Sequence, residues 1–226
     1  KYVVGGKQSL VLLVNNFSIS NNSKGIVGVC PSCAILNLRA ETSNNAQLLA
    51  AINYAVDQIQ ALRTNNKGVI LIGSASTDAT PSDALLETRL NEIVSATAYS
   101  ITVVAPAGDD ASGGPRYPCA YGAALCVGAT DTAGRSEDAR SVFSNFGEWV
   151  DLAAPGQKIR GTLPGNGYGN HYETAAAAAI VAGEAGLVHA VTGAGAADVQ
   201  SILLASHYQL GPGNSPPAVI TQPDFD

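Results

Sequence analysis

The 226-residue chain contains no methionine, a single tryptophan and few charges: Asp, Glu, Lys and Arg make up 13% of it, about half the usual share of a soluble domain. Without a methionine, Lys1 is not an initiator position, and the first residues do not read as a signal peptide. Any such segment is expected to have been removed or left outside this sequence. Basic residues number only 12 against 18 acidic ones, giving a net charge of -6, and they form no block. A nucleic-acid partner is therefore excluded, because phosphate contacts need clustered Lys and Arg. Long apolar runs such as a membrane anchor needs are missing too: Leu10 to Val14 is far shorter than the about 18 residues that cross a bilayer. Repeats, charge runs and internal linkers are also lacking. What is abundant is apolar side chain, at 46%, enough for a sizeable core and incompatible with disorder.

Four cysteines occur as two close pairs, Cys30 with Cys33 and Cys119 with Cys126. An even count in local pairs fits two disulfides and an oxidising compartment, extracellular or periplasmic. A single zinc site using all four thiolates is the alternative, though a second Cys-x-x-Cys is missing. Asn16 and Asn21 each begin an Asn-x-Ser sequon, a surface glycosylation site only along a eukaryotic secretory route.

Apolar runs alternate with helical patterns. Gly68–Ile72 and Ile101–Ala105 are nearly continuous apolar stretches, as expected of strands covered on both faces. A helix over about Ala46–Arg63 would place Leu48, Leu49, Ile52, Val56, Ile59 and Leu62 on one stripe. A second would start near Thr80-Pro81-Ser82-Asp83 and carry Leu85, Leu86, Leu90, Ile93 and Val94. Thr174–Ala190 is small and apolar all round, hence a buried helix, and Ala197–His207 reads as an ordinary amphipathic one. Alternating strands and helices imply one α/β domain over 1–210, a mostly parallel sheet with helices on both faces. Residues 211–226, with Pro212, Pro216, Pro217 and Pro223, read as an irregular tail. Ligands of open parallel sheets sit at the carboxyl ends of strands beside helix starts, so chemistry is expected around Tyr172-Glu173-Thr174-Ala175.

Several blocks, in order, resemble the subtilisin-like serine proteases, the subtilases. They are Gly25–Pro31 with Ala34–Arg39, Val103–Gly108, Tyr117–Tyr121 with Cys126–Asp131, and, most strongly, Phe143-Ser-Asn-Phe-Gly147 with Val150–Gly156. Thr174–Gly183 falls where the family has its nucleophile helix, with Val181-Ala-Gly183 kept. The resemblance covers about residues 9–205 and implies the subtilisin-like fold with its N-terminal part missing.

The same alignment implies the loss of the chemistry. The family needs a serine nucleophile, a histidine base, an aspartate to orient it and an oxyanion donor. The nucleophile position holds Ala175, preceded by Glu173 where the motif has glycine. Counting back without gaps from Pro31 puts the histidine position on Ser9, and no histidine precedes His171. The aspartate would lie upstream of Lys1. The oxyanion asparagine is replaced by Asp109, an acceptor when ionised. For this family loss of the triad costs about a millionfold. The expectation is a catalytically silent homologue that binds peptide or protein or regulates; the alternatives are an active endopeptidase completed by a segment outside this sequence, and a structural module of a larger secreted protein.

Other residues carry plainer readings. His171 reads as a solvated loop residue, and His189 and His207 as partly buried or capping groups near helix ends. Glu173 and Asp109 could pair as carboxylates across the old cleft. Asn22 matches one position of the family's calcium loop, but a solvated turn is expected there, with no metal or cofactor. The resemblance puts peptide-pairing edges at Leu71-Ile-Gly73 and Ala105-Pro-Ala-Gly108, making Leu71, Gly73, Ala105 and Gly108 a tentative peptide cleft; Pro106 counts against it. Ser9–Val14 reads equally as strand or buried helix, while the family has a core helix there.

Overall fold

The computed structural model describes residues 9–15, 25–40, 44–61, 67–73, 84–131, 139–209 and 218–220, for 9–15, 164, 207–209 and 218–220 the backbone alone. The chain runs β1 (Ser9–Asn15), β2 (Cys33–Arg39), α1 (Asn45–Gln60), β3 (Lys67–Ile72), α2 (Ala84–Ser95), β4 (Ser100–Pro106), β5 (Ala124–Asp131), β6 (Ala139–Arg140), β7 (Leu152–Pro155), β8 (Gln157–Leu163), β9 (Gly167–Tyr172), α3 (Thr174–Thr192), α4 (Ala196–Ala205), β10 (His207–Gln209) and β11 (Ala218–Ile220). One sheet has the order β10-β11-β7-β5-β4-β3-β1-β2, with β6 on β5, and β8 and β9 form a separate ladder.

The continuous apolar runs sit where sequence puts them. β3 and β4 pair in parallel, as do β4 with β5 and β5 with β7. Because side chains alternate across a strand, Ile70 and Ile72 join Leu48, Ile52, Ile59, Leu86, Leu90 and Ile93 on one face. Val69 and Leu71 face the opposite way, with Leu125, Val127, Leu152, Ile180, Val181 and Leu203. Helices α1 and α2 thus cover one face and α3 and α4 the other. Each fully buried Leu or Ile contributes roughly 1.5–3 kcal/mol of transfer free energy.

Asn44 caps α1, its side chain accepting from Gln47 N at 3.1 Å. In α2 the buried stripe is Leu86, Leu90 and Ile93. Leu85, expected on that stripe, is 70% exposed; the expected cap at residues 80–83 and Leu62 lie outside the described residues, as do Asn16, Asn21 and Asn22. Helix α3 is 19 residues long with mean hydropathy 1.5, long and apolar enough to cross a membrane by those measures. Here it is the core helix, packed on β3, β4, β5 and β7. Its apolar surround therefore reflects contacts on nearly every side. Gly193, at φ +67°, ends it in the left-handed conformation, with its N–H on His189 O.

Two expectations need correction. Ala218–Ile220 is not irregular: β11 pairs in parallel with β7 and antiparallel with β10, because Ala-Val-Ile supplies a short apolar, β-branched run between the prolines. Residues 9–15 form a strand, not the core helix that the resemblance implies. β1 lies between β2 and β3 and is antiparallel to both. Ser9 therefore begins an interior strand, opposite Arg39, and does not occupy a helix as the ungapped count to the histidine position required.

Candidate functional site

Three segments converge on the start of α3. Beyond the carboxyl end of β4 the chain turns at Gly108, whose φ is +103°, a conformation that favours glycine. Asn145, fully buried, organises this turn. Its Oδ1 accepts from Asp110 N (3.0 Å) and Ser112 N (2.9 Å), its Nδ2 donates to Ala107 O (2.9 Å), and its backbone N donates to Gly108 O (2.9 Å). Thr174, the buried first residue of α3, accepts from Gly108 N through Oγ1 at 3.0 Å. Asp109 completes the junction: its Oδ1 accepts from Thr174 N at 2.7 Å. This is a short, charge-assisted bond on the electropositive end of a helix.

Ala175 is therefore the second residue of α3, half-buried, directly after the N–H held by Asp109. The turn contains no hydroxyl at that position, and its two nearby backbone donors, Gly108 N and Thr174 N, already serve Thr174 Oγ1 and Asp109. The place that resembles an oxyanion site thus holds an anion of the chain's own.

Glu173, which could have paired with Asp109, turns to His171. Its side chain lies 3.4 Å from His171 Nδ1, and its backbone N donates to Gly156 O at 3.0 Å. His171 is not a solvated loop residue either. It lies on β9 with its side chain 12% exposed, its Nε2 buried without a partner. A Cβ on Gly161 of β8 would meet His171 Cδ2 at 2.5 Å. The Cδ2–Nε2 edge of the ring fits against the glycine because no side chain stands there.

The other described ring faces the core. His189 Nδ1 is 3.2 Å from Ala194 O and Nε2 is 3.0 Å from Thr102 Oγ1. The carbonyl can only accept, so Nδ1 carries the proton and Thr102 donates to Nε2. This hydroxyl–imidazole pair has a base's geometry, yet Thr102 is 0% and His189 2% exposed, and fourteen residues of helix, about 21 Å, separate His189 from Ala175. No substrate reaches it.

The proposed peptide cleft is revised. Leu71 and Ala105 lie on β3 and β4, strands with neighbours on both sides, and both residues are buried. Both backbone groups of Gly108 are engaged internally. Of the four residues, Gly73 alone follows a strand end with no such bond described. Asn145 and Thr174, which do hold the site together, went unassigned by sequence reasoning; the signal for Asn145 was its place in the best-matching block, Phe143–Gly147. Both cysteine pairs are disulfides, Cys30–Cys33 and Cys119–Cys126, so the zinc alternative is overturned. Among the described residues no group of three His, Cys, Asp or Glu could hold a metal ion.

The chain is similar to a wide set of known proteins. The model of the Subtilase family matches residues 17–216. Alkaline elastase YaB from Bacillus sp. (strain YaB) is 32% identical over 168 residues, covering 74% of this chain and 41% of the relative. Subtilisin Savinase from Lederbergia lenta is also 32% identical over 168 residues, covering 74% and 58%. The chain thus spans about half the length of these curated relatives. The prenylagaramide maturation protease PagA superposes with a TM-score of 0.62 at 26% identity, over 76% of this chain and 61% of that one. A cold-adapted subtilisin-like serine proteinase gives 0.60 at 21% identity, over the same shares. β1 precedes the matched region. With the sheet, the α3 junction and the ordered blocks agreeing, the chain belongs to the subtilase family.

Proposed function

We propose that this chain is a catalytically silent subtilase domain, a pseudoprotease that acts by binding peptide or protein rather than by cutting it. One observation carries the reading: Ala175 stands at the start of α3 with the Asp109 carboxylate bonded to the preceding N–H. A methyl group cannot attack a carbonyl, and a carboxylate beside a developing oxyanion repels it where the family mechanism needs a donor. The alternative of a segment supplied from outside, completing an active endopeptidase, is disfavoured by the same pair. An added strand could bring a histidine and an aspartate, but it removes neither the methyl group nor the carboxylate.

Two disulfides support a secreted setting, extracellular or periplasmic. The binding role needs neither metal nor cofactor, and the chain's net charge of -6 favours a peptide or protein partner over a polyanion. The test is a fluorophosphonate probe combined with a peptide-library digest across several pH values. The silent reading expects no covalent label and no turnover above buffer; labelling at any serine would end it. A structural module with an occluded cleft would give the same result but would bind no library peptide.

A further inference from the structure

Cys30-Pro31-Ser32-Cys33 closes its disulfide across a sequence separation of 3, with Cα atoms 5.3 Å apart, in a turn where Cys33 N donates to Cys30 O at 3.2 Å. The two cysteines differ in exposure: Cys33, entering β2, is 4% exposed, whereas Cys30 is half-buried beside exposed Ser32. The other disulfide is sealed, with Cys119 at 1% and Cys126 at 0% exposure. Behind the Cys30–Cys33 turn lies a face of α3 made of bare backbone. A Cβ on Gly186 would stand 2.9 Å from Cys33 Sγ and 3.5 Å from Cys30 Sγ, and one on Gly183 would stand 2.8 Å from Val29 Cβ. The turn is seated on the helix with no slack.

We propose that Cys30–Cys33 is a thiol–disulfide exchange site for dithiol reductants, and that its reduction lifts the 29–33 turn off the Gly183–Gly186 face of α3. A thiolate of the dithiol attacks Cys30 Sγ, the sulfur of the more exposed cysteine, forming a mixed disulfide and releasing Cys33 as thiolate. The reductant's second thiol then attacks its own bound sulfur, leaving as an oxidised disulfide while Cys30 departs as thiolate. Two electrons pass to the protein, and both cysteine sulfurs take up protons from solvent according to their pKa. The small loop adds little constraint to the unfolded chain, so its opening leaves the fold standing. Lifting follows from size: bonded sulfurs sit about 2 Å apart, unbonded ones need about 3.5–4 Å, and the Gly186 side offers no room for the difference.

The test treats the full chain, natively folded, with graded dithiothreitol, then iodoacetamide and peptide mapping, with amide hydrogen exchange read in parallel. Expected are alkylation of Cys30 and Cys33 while Cys119–Cys126 remains joined, and faster exchange confined to residues 26–33 and 183–187. Both disulfides opening together, or Cys119–Cys126 opening first, overturns the site; alkylation without the exchange change overturns the lift. Single variants separate the sulfurs. Cys30 in Cys33→Ser should react with an aromatic disulfide at least about tenfold faster than Cys33 in Cys30→Ser; equal rates overturn the assigned point of attack.

Discussion

Asp109 Oδ1 accepts the backbone N–H of Thr174 at 2.7 Å, so this side chain caps the helix that carries Ala175. Glu173, the residue preceding α3, offers no capping bond of its own. The carboxylate complements the helix dipole and satisfies a donor that α3 itself leaves open. Asp109→Ala should therefore lower stability by about 1 kcal/mol, read as a shift in urea midpoint at unchanged m-value. Asp109→Asn, which keeps an accepting oxygen without the charge, should lose less. A neutral outcome for Asp109→Ala would show that the cap contributes nothing.

Restoring one atom should not restore chemistry. In Ala175→Ser the new hydroxyl would stand at the start of α3, but the nearer described imidazole, His171, points its Nδ1 to Glu173 and buries its Nε2 against Gly161. Among the described residues no imidazole is placed to take the hydroxyl's proton, and the Asp109 side chain stays bonded to the neighbouring Thr174 N. Ala175→Ser and Ala175→Ser/Asp109→Asn are both expected to resist fluorophosphonate and leave a peptide library intact. Rapid labelling of Ser at position 175 in either variant would reveal a base that the described geometry does not contain.

The α/β class, the parallel strands β3 and β4 and the two disulfides were legible because each rests on a local signal: continuous apolar runs, 3.6-residue periodicity, paired cysteines. Ala175 and Asp109 drew attention through aligned blocks, and the structure brings them together at the start of α3. What sequence could not give was direction and depth. Leu10–Val14 suits a strand or a helix equally, and only its pairing with both β2 and β3 decides. Leu71 and Ala105 passed as cleft residues because interior and edge strands share one apolar pattern. His171 passed as solvated because the space that receives its ring is the absence of a side chain at Gly161, diagonal to it across the β8–β9 ladder.

Asn145 bridges the two loops of the site with three side-chain bonds while fully buried. Asn145→Ala strands two N–H groups and one carbonyl, so a loss of about 3 kcal/mol is expected, with amide exchange rising at residues 107–112. Asn145→Asp keeps the accepting oxygen for Asp110 N and Ser112 N but sets a carboxylate against Ala107 O, and should fall between wild type and alanine. A loss under about 0.5 kcal/mol for Asn145→Ala would mean that the loop holds its shape without this side chain.

Stability should be greatest in mildly acid solution, because α3 buries two ionisable groups with opposite demands. Glu184 is 4% exposed with neither carboxyl oxygen bonded, and burial pushes its pKa from 4.5 up to about 8. Below the unfolded value both states hold the proton and nothing is lost. Between 4.5 and about 8 the unfolded chain releases it and the folded chain does not, so stability falls by up to about 1.4 kcal/mol per pH unit. For His189 the sign reverses. Burial, aided by the charge of Lys67 and opposed by the bond to Ala194, lowers its pKa below 6.5, so the unfolded chain gains a proton first and stability falls as pH drops through that value. The two slopes oppose each other between 4.5 and 6.5, which is where the maximum belongs. Urea titrations from about pH 4 to about pH 9 should show that dome. Glu184→Gln should flatten its alkaline side and His189→Gln its acid side, each leaving the other in place; an alkaline limb unchanged in Glu184→Gln would mean that the carboxyl finds water or a donor when it ionises.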